Sequence, residues 1–363
     1  MPVCFASRLR RSKSAHPERV LFYAKILSKM AALRTVFRPT PPGKENMKRR
    51  ILSLAIALLL ALSLIGCAGT ENTSEVPSAS SGNTETATPS SGTDSTEIKV
   101  TDLSGASVTL EKTPSKVVSL VPSVTELLFA LDAGNLIVGR DSSSNYPGQA
   151  EDIPVMGDYS GPNLELIVAA EPDVVFTSGK LQAEAEEQLR NAGIAVISAE
   201  AGTLEQINQS IALLGTVCGK KEQADTLCAQ AGDMLKSLES RNISGVTAYY
   251  IVSTGEYGEW TVGPGSFIYD ALTLAGVELI TKDAEYAYPQ YSLEAIAQAN
   301  PYVIIADTYT TREYLESAEM FKDLDAVKNG RMIFIDADKA SRPTLRFFEE
   351  MLSCTDGIKA LTE

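Results

Sequence analysis

The amino-acid sequence predicts an α/β protein: two similar α/β lobes joined by one long rigid helix, with a cleft between them. Three observations predict it. Residues 159–176, YSGPNLELIVAAEPDVVF, and residues 288–305, YPQYSLEAIAQANPYVII, keep Tyr, Leu, Glu, Ile, Ala, Pro and Val in register without a gap, 129 residues apart. Short apolar runs alternate with helical patterns around each copy, as in βαβ units. Between the copies, Ala224, Leu227, Cys228, Ala231, Leu235 and Leu238 form one stripe at helical spacing.

The chain before the body reads as address and tether. Residues 1–66 hold 13 Lys+Arg and 2 Asp+Glu, which leaves 19 of the 32 basic and 44 of the 46 acidic residues in the remainder. Met47-Lys-Arg-Arg precedes an apolar run, Ile51–Gly66, of 16 residues. A membrane-spanning helix needs roughly 20, so the run fits the core of a signal peptide. It ends in Leu64-Ile-Gly-Cys67, a lipobox-like sequence that makes Cys67 the expected lipid attachment site. Residues 1–46 are an upstream extension without pattern, and Met47 is the expected start of translation. Residues 67–96, rich in Ser, Thr, Gly, Pro and Glu, bury almost nothing and read as a disordered linker.

The body divides into a first lobe, 97–217, an interlobe helix, 218–242, and a second lobe, 243–363. Lys116-VVSLVP reads as a buried strand. Ser123-Val-Thr-Glu126 has the spacing of a capping box for the helix VTELLFALDA, which Gly134 stops. LIVG is the next strand. Asn163 caps LELIVAA, Pro172 forbids its continuation, and VVF follows as a strand covered on both faces. Helix 182–191 and strand IAVI complete the lobe. Thr203-Leu-Glu-Gln206 is a second capping box, opening a helix to about Val217, and the long helix starts near Lys221. In the second lobe VTAYYIV is a strand and SFIYDALTLAG a capped helix ending at Gly276. Ser292 starts the repeated helix, VII is its strand, and RMIFID is a later one.

In α/β lobes ligands collect beyond the carboxyl ends of the strands. Tyr159 and Tyr288 lie on such loops, each four residues before a helix cap, and their pairing in the repeat places them as cleft residues on opposite lobes. Tyr146, Tyr257 and Trp260 fall on equivalent loops. Flat aromatic faces suit a large, planar, partly apolar ligand. The glycines of WTVGPG permit close backbone approach to such a ligand. Glu165 and Glu294 sit in the first turns of the repeated helices. There a carboxylate gains from the helix dipole, and there the pair also presents one charge per lobe to a partner's arginines.

Composition excludes several classes. An acidic body repels phosphate backbones, so no nucleic-acid partner is expected. The only histidine, His16, precedes the body. The five cysteines (Cys4, Cys67, Cys218, Cys228 and Cys354) show no zinc spacing. No catalytic residue, metal site or cofactor is therefore expected.

VVSLVPSVTELLFALDAG, NLELIVAAEPDVV, WTVGPGSFIYDALTLAG, YPQYSLEAIAQANPYVII and KNGRMIFIDADKASRPTLRFFE, behind a lipobox and a Ser/Thr-rich tether, resemble the iron-siderophore/cobalamin substrate-binding lipoproteins of ABC importers across roughly 99–363. The resemblance is greatest to the vitamin B12 binders, through WTVGPGS, YPQxSLE and Asn145-Tyr146-Pro147. It implies a monomer, lipid-anchored on the outer face of the cell membrane, that holds a corrinoid between its lobes. By the same resemblance Tyr146, Tyr159, Trp260, Tyr288 and Arg342 are ligand-binding, and Glu165 and Glu294 dock onto a permease dimer. Ser143 and Ser178 depart from the pattern, standing where the enterobacterial cobalamin binder carries aromatics. The alternative ligand is a ferric siderophore or, less favoured, haem. An anionic siderophore needs clustered cations, and the candidate loops offer mainly Arg342, with Arg140 and Lys180.

Overall fold

The structure, a computed structural model, describes residues 97–179, 182–254 and 259–363. The expected signal peptide, linker and lipid site Cys67, together with His16, Lys180 and Tyr257, lie outside the described residues. Within them no helix is long and apolar enough to cross a membrane.

A hairpin that the sequence reading had not assigned opens the body. Strand β1 (Ile98–Thr101) pairs antiparallel with β2 (Ser107–Leu110). Buried Asp102 organises its turn by accepting from the Ser104 and Ala106 N–H groups at 2.9 Å. Its other oxygen accepts from Ser198 N–H at 3.0 Å, which ties the hairpin to the first lobe's sheet.

That lobe is built from β3 (Val117–Ser119), α1 (Pro122–Ala130), β4 (Ile137–Arg140), the small β5 (Gly157–Asp158) and β6 (Gly161–Pro162), α2 (Leu164–Ala169), β7 (Val174–Thr177), α3 (Ala183–Asn191) and β8 (Ala195–Ser198). Helices α4 (Leu204–Val217) and α5 (Lys221–Glu239) lead out of it. The second lobe contains β9 (Thr247–Ile251), α6 (Phe267–Leu274), β10 (Glu278–Leu279), α7 (Leu293–Ala299), β11 (Val303–Asp307), α8 (Arg312–Ser317), α9 (Asp325–Lys328), β12 (Met332–Ile335), α10 (Ala337–Ala340) and α11 (Leu345–Ala360).

Both four-stranded sheets are wholly parallel, and both have one order. It is β4-β3-β7-β8 in the first lobe and β10-β9-β11-β12 in the second. The repeat is thus one α/β unit used at the same place twice. Asn163 and Ser292 cap α2 and α7 through their side chains, as expected. Each helix buries one isoleucine, Ile167 or Ile296, in its own lobe's core. Each ends before a proline on a residue of positive φ, Glu171 (50°) or Asn300 (39°).

At α1 the structure corrects the sequence reading. The helix starts at Pro122 with Val121 as its uncapped boundary, so Ser123 is inside the helix and Glu126 caps nothing. Proline's fixed φ, suited to a first helical turn, starts the helix one residue before the serine. Nor does Gly134 end it. Asp132 takes the positive φ of 55° after the last turn, and Gly134 begins a short 3-10 segment instead. Long helix α5 spans about 28 Å at 1.5 Å per residue. It packs on α4 on one side and on α11 on the other.

Candidate functional site

The carboxyl ends of the two sheets meet through ionic contacts. Glu126 projects from α1, just past β3, and is buried. Its Oε1 accepts from Arg342 Nη1 at 2.8 Å and from Arg346 Nη1 at 2.7 Å, and its Oε2 from Thr344 Oγ1 at 3.2 Å. One carboxylate of the first lobe is therefore gripped by three donors of the second: Arg342 and Thr344 from the segment joining α10 to α11, and Arg346 from the first turn of α11. Arg342 Nη2 also donates to the Ser143 carbonyl at 3.1 Å and pairs with Asp338 at 3.4 Å. Burial pushes the Glu126 carboxyl up, and the facing Arg342 and Arg346 pull it back.

Tyr146 stands at this junction, 44% exposed, with the Arg346 guanidinium 3.7 Å from its ring centre. That is cation–π distance. Beneath it Asp141, fully covered, bonds Ser144 and the Ser143 N–H, and burial raises its carboxyl. Arg140, the other cation of this edge, is spent on the carbonyls of Asp141 (3.0 Å) and Glu151 (3.2 Å).

Tyr159 lies in the turn between β5 and β6 and is only 5% exposed. Its hydroxyl donates to Glu200, just past β8. Its carbonyl accepts from Gln182 Nε2 at 2.6 Å, and the same amide donates to the Leu120 carbonyl at 3.1 Å. Gln182 thus pins the Tyr159 loop to the end of β3. Burial lifts the Glu200 carboxyl to about 7 against the opposing bond from Tyr159, and pushes the Tyr159 phenol well above its usual range.

Trp260 is 5% exposed and held by its backbone, which exchanges bonds with Val252 and Ser253 and bridges to Gln290. The segment continues with Thr261 N–H to the Pro289 carbonyl (3.1 Å) and Gly263 N–H to the Ala287 carbonyl (2.8 Å), so the Trp260 run runs beside the loop carrying half-buried Tyr288. A Cβ at Gly263 would lie 2.4 Å from the Tyr286 carbonyl. The close approach that this glycine allows is therefore to the Tyr288 loop. Glu165 and Glu294 are exposed on the first turns of α2 and α7, one per lobe.

The structure thus groups Tyr146 with Arg342, and Trp260 with the Tyr288 loop. Sequence reasoning missed Glu126, Thr344, Arg346, Gln182 and Glu200. The first was hidden by its capping-box spacing. Arg342, Thr344 and Arg346 alternate along RPTLR, a pattern with meaning only once their common acceptor is known. Among the described residues no group of His, Cys, Asp and Glu is arranged to hold a metal ion.

A family model described as "Periplasmic binding protein" matches residues 117–339. The chain is 27% identical over 323 residues to an uncharacterized ABC transporter substrate-binding lipoprotein, YvrC, of Bacillus subtilis, covering 86% of this chain and 98% of that one. It is 28% identical over 233 residues to a vitamin B12-binding protein of Vibrio campbellii, covering 64% and 84%. Among solved structures, the periplasmic vitamin B12 binding protein BtuF of Vibrio cholerae superposes with a TM-score of 0.62 at 23% identity, over 69% of this chain and 99% of that one. The periplasmic heme-binding protein RhuT from Roseiflexus also reaches 0.62, at 21% identity, over 69% and 99%. At such identities the two structures establish the fold alone. The family model spans well over half of the chain, and the chain belongs to the periplasmic binding protein family, whose members are substrate-binding transport proteins and not enzymes.

Proposed function

We propose that this protein captures a corrinoid, cobalamin or cobinamide, between its lobes and delivers it to the permease dimer of an ABC importer. In this reading Tyr146, Tyr159, Trp260 and Tyr288 supply the aromatic surroundings of the macrocycle. Glu165 and Glu294 dock onto the permease, and lipidated Cys67 tethers the protein to the outer face of the membrane.

One observation carries the choice of ligand. Among the described residues, the guanidiniums at the carboxyl edges are already engaged within the protein: Arg342 is paired with Glu126 and Asp338, Arg346 with Glu126, and Arg140 donates to two backbone carbonyls. A multiply anionic ferric siderophore would have to break buried pairs to be bound. A corrinoid, whose amide-fringed ring carries little net charge, leaves them intact. The vitamin B12-binding names among the relatives lean the same way.

The single tryptophan gives the test. Corrinoids absorb strongly, and energy transfer acts over tens of ångströms, so buried Trp260 still reports on a bound macrocycle. Cobalamin or cobinamide titrated into the full chain is expected to extinguish most tryptophan emission, saturating at one equivalent. Quenching by a ferric siderophore or haem with no response to either corrinoid would leave the family in place and replace the ligand.

A further inference from the structure

We infer that Glu126 and its three donors form a clamp that sets the separation of the lobes, making Glu126, Arg342 and Arg346 positioning residues for the cleft. The inference rests on the reading of the interlobe cleft as the ligand site, but the clamp itself is a matter of geometry.

Both lobes need some contact, and most interlobe contacts are polar and yielding. This one differs in its asymmetry and its burial. The acceptor is a lone carboxylate on α1, 3% exposed in its side chain. The donors Arg342 and Arg346, 7% and 19% exposed, flank the start of the 16-residue α11, Arg342 just before it and Arg346 in its first turn. Both carboxylate oxygens are used, and Arg342 reaches past Glu126 to the Ser143 carbonyl. Opening the lobes would strip the buried Glu126 carboxylate of all three donors and Arg346 of its carboxylate, leaving Arg342 only its own-lobe partner Asp338, a costly change.

The clamp also touches the site. Arg346 lies over Tyr146, and Arg342 holds the backbone of Ser143, so loop 141–147 and the interlobe distance are fixed by the same atoms. A second tie lies elsewhere on the interface. Asp270, on α6 of the second lobe, meets Leu204 at the start of α4, the two lining one cavity. Between these ties α5 offers no proline and one glycine, Gly232. The cleft is thus prebuilt at its binding width, and affinity reflects the fraction of molecules so arranged.

The test compares the full chain with Glu126→Gln, which keeps the shape and removes the charge. Hydrogen exchange at 141–147 and 338–346 is measured without ligand, and cobalamin affinity is measured alongside. Expected are exchange at least about tenfold faster in both segments, a cooperative melt, and affinity weakened about tenfold, with Glu126→Asp recovering part of each. Arg346→Gln, which leaves the Glu126–Arg342 pair, is expected to show the same pattern at smaller amplitude, and serves if Glu126→Gln does not fold. Unchanged exchange in a folded variant, or an affinity change without an exchange change, overturns the clamp. Faster exchange in a protein whose parent ignores every corrinoid would uphold the clamp and overturn the ligand instead.

Discussion

The bond between the Tyr159 phenol and Glu200 shows how the fold sets the chemistry of one side chain. In water Glu200 would titrate near 4.5, but burial raises it to about 7 in the folded protein. A carboxyl raised on folding contributes stability that is fully present below about pH 4.5 and is lost as pH rises through about 7. Glu200→Gln keeps a partner for the Tyr159 hydroxyl and carries no charge. The wild type is therefore expected to lose up to about 3 kcal/mol between pH 4.5 and 8 that the variant does not lose. Denaturant midpoints at pH 5 and pH 8 check this, and parallel losses in the two proteins would count against it. The same burial disfavours any role for Tyr159 as a phenolate at neutral pH.

Elements were the most legible level in the sequence, because caps act within one turn of chain. Asn163, Thr203, Ser266 and Ser292 all accept from the backbone where their spacing predicts. Ser123 fails because Pro122 starts the helix ahead of it. Gly276 also sits where predicted, after α6, with φ of 92°. Its reason exceeds a cap, since a Cβ there would stand 2.1 Å from the Ile243 carbonyl, in the chain that leads from α5 into the second lobe. Gly276→Ala is expected to cost well over 2 kcal/mol, the left-handed penalty plus the clash. Gly193→Ala, at φ of 82° but facing open space, serves as a control and should cost only about 1–2 kcal/mol. Equal melting shifts for the two would refute the close-approach argument.

At the scale of the whole molecule the doubling becomes a mechanism. Two sheets of the same strand order present α2 and α7 in equivalent places, so the repeat relates Glu165 to Glu294, and under the proposed docking each would meet one half of a permease dimer. Replacing both with alanine is expected to abolish uptake by cells that carry the importer while leaving corrinoid affinity of the purified protein within about twofold, because exposed first-turn carboxylates contribute only ~0.3–1 kcal/mol to their own helices. Loss of binding in a folded double variant would move the pair from docking surface to ligand site.

The sequence by itself determined two related α/β lobes, the repeated helix–strand unit, the long connecting helix and the family, since periodicity, caps and an internal repeat are written within short stretches of chain. It also marked Tyr146, Tyr159, Trp260 and Tyr288 as loop residues at strand ends, and the family resemblance added Arg342. The hairpin β1–β2 escaped although Ile98-Lys-Val-Thr101 and Ser107-Val-Thr-Leu110 alternate apolar and polar residues, because each run has only the four-residue minimum length and follows directly on the polar linker. What Arg342 touches was decided only by the tertiary structure. Its partner Glu126 lies 216 residues away, and no local pattern distinguishes a helix-capping glutamate from one that reaches across to another lobe. The burial of Trp260 against the Tyr288 loop, and the lift of Glu200 by loss of water, likewise depend on segments distant in sequence. Desolvation and ion pairing act through space, and so they become visible only when the chain is folded.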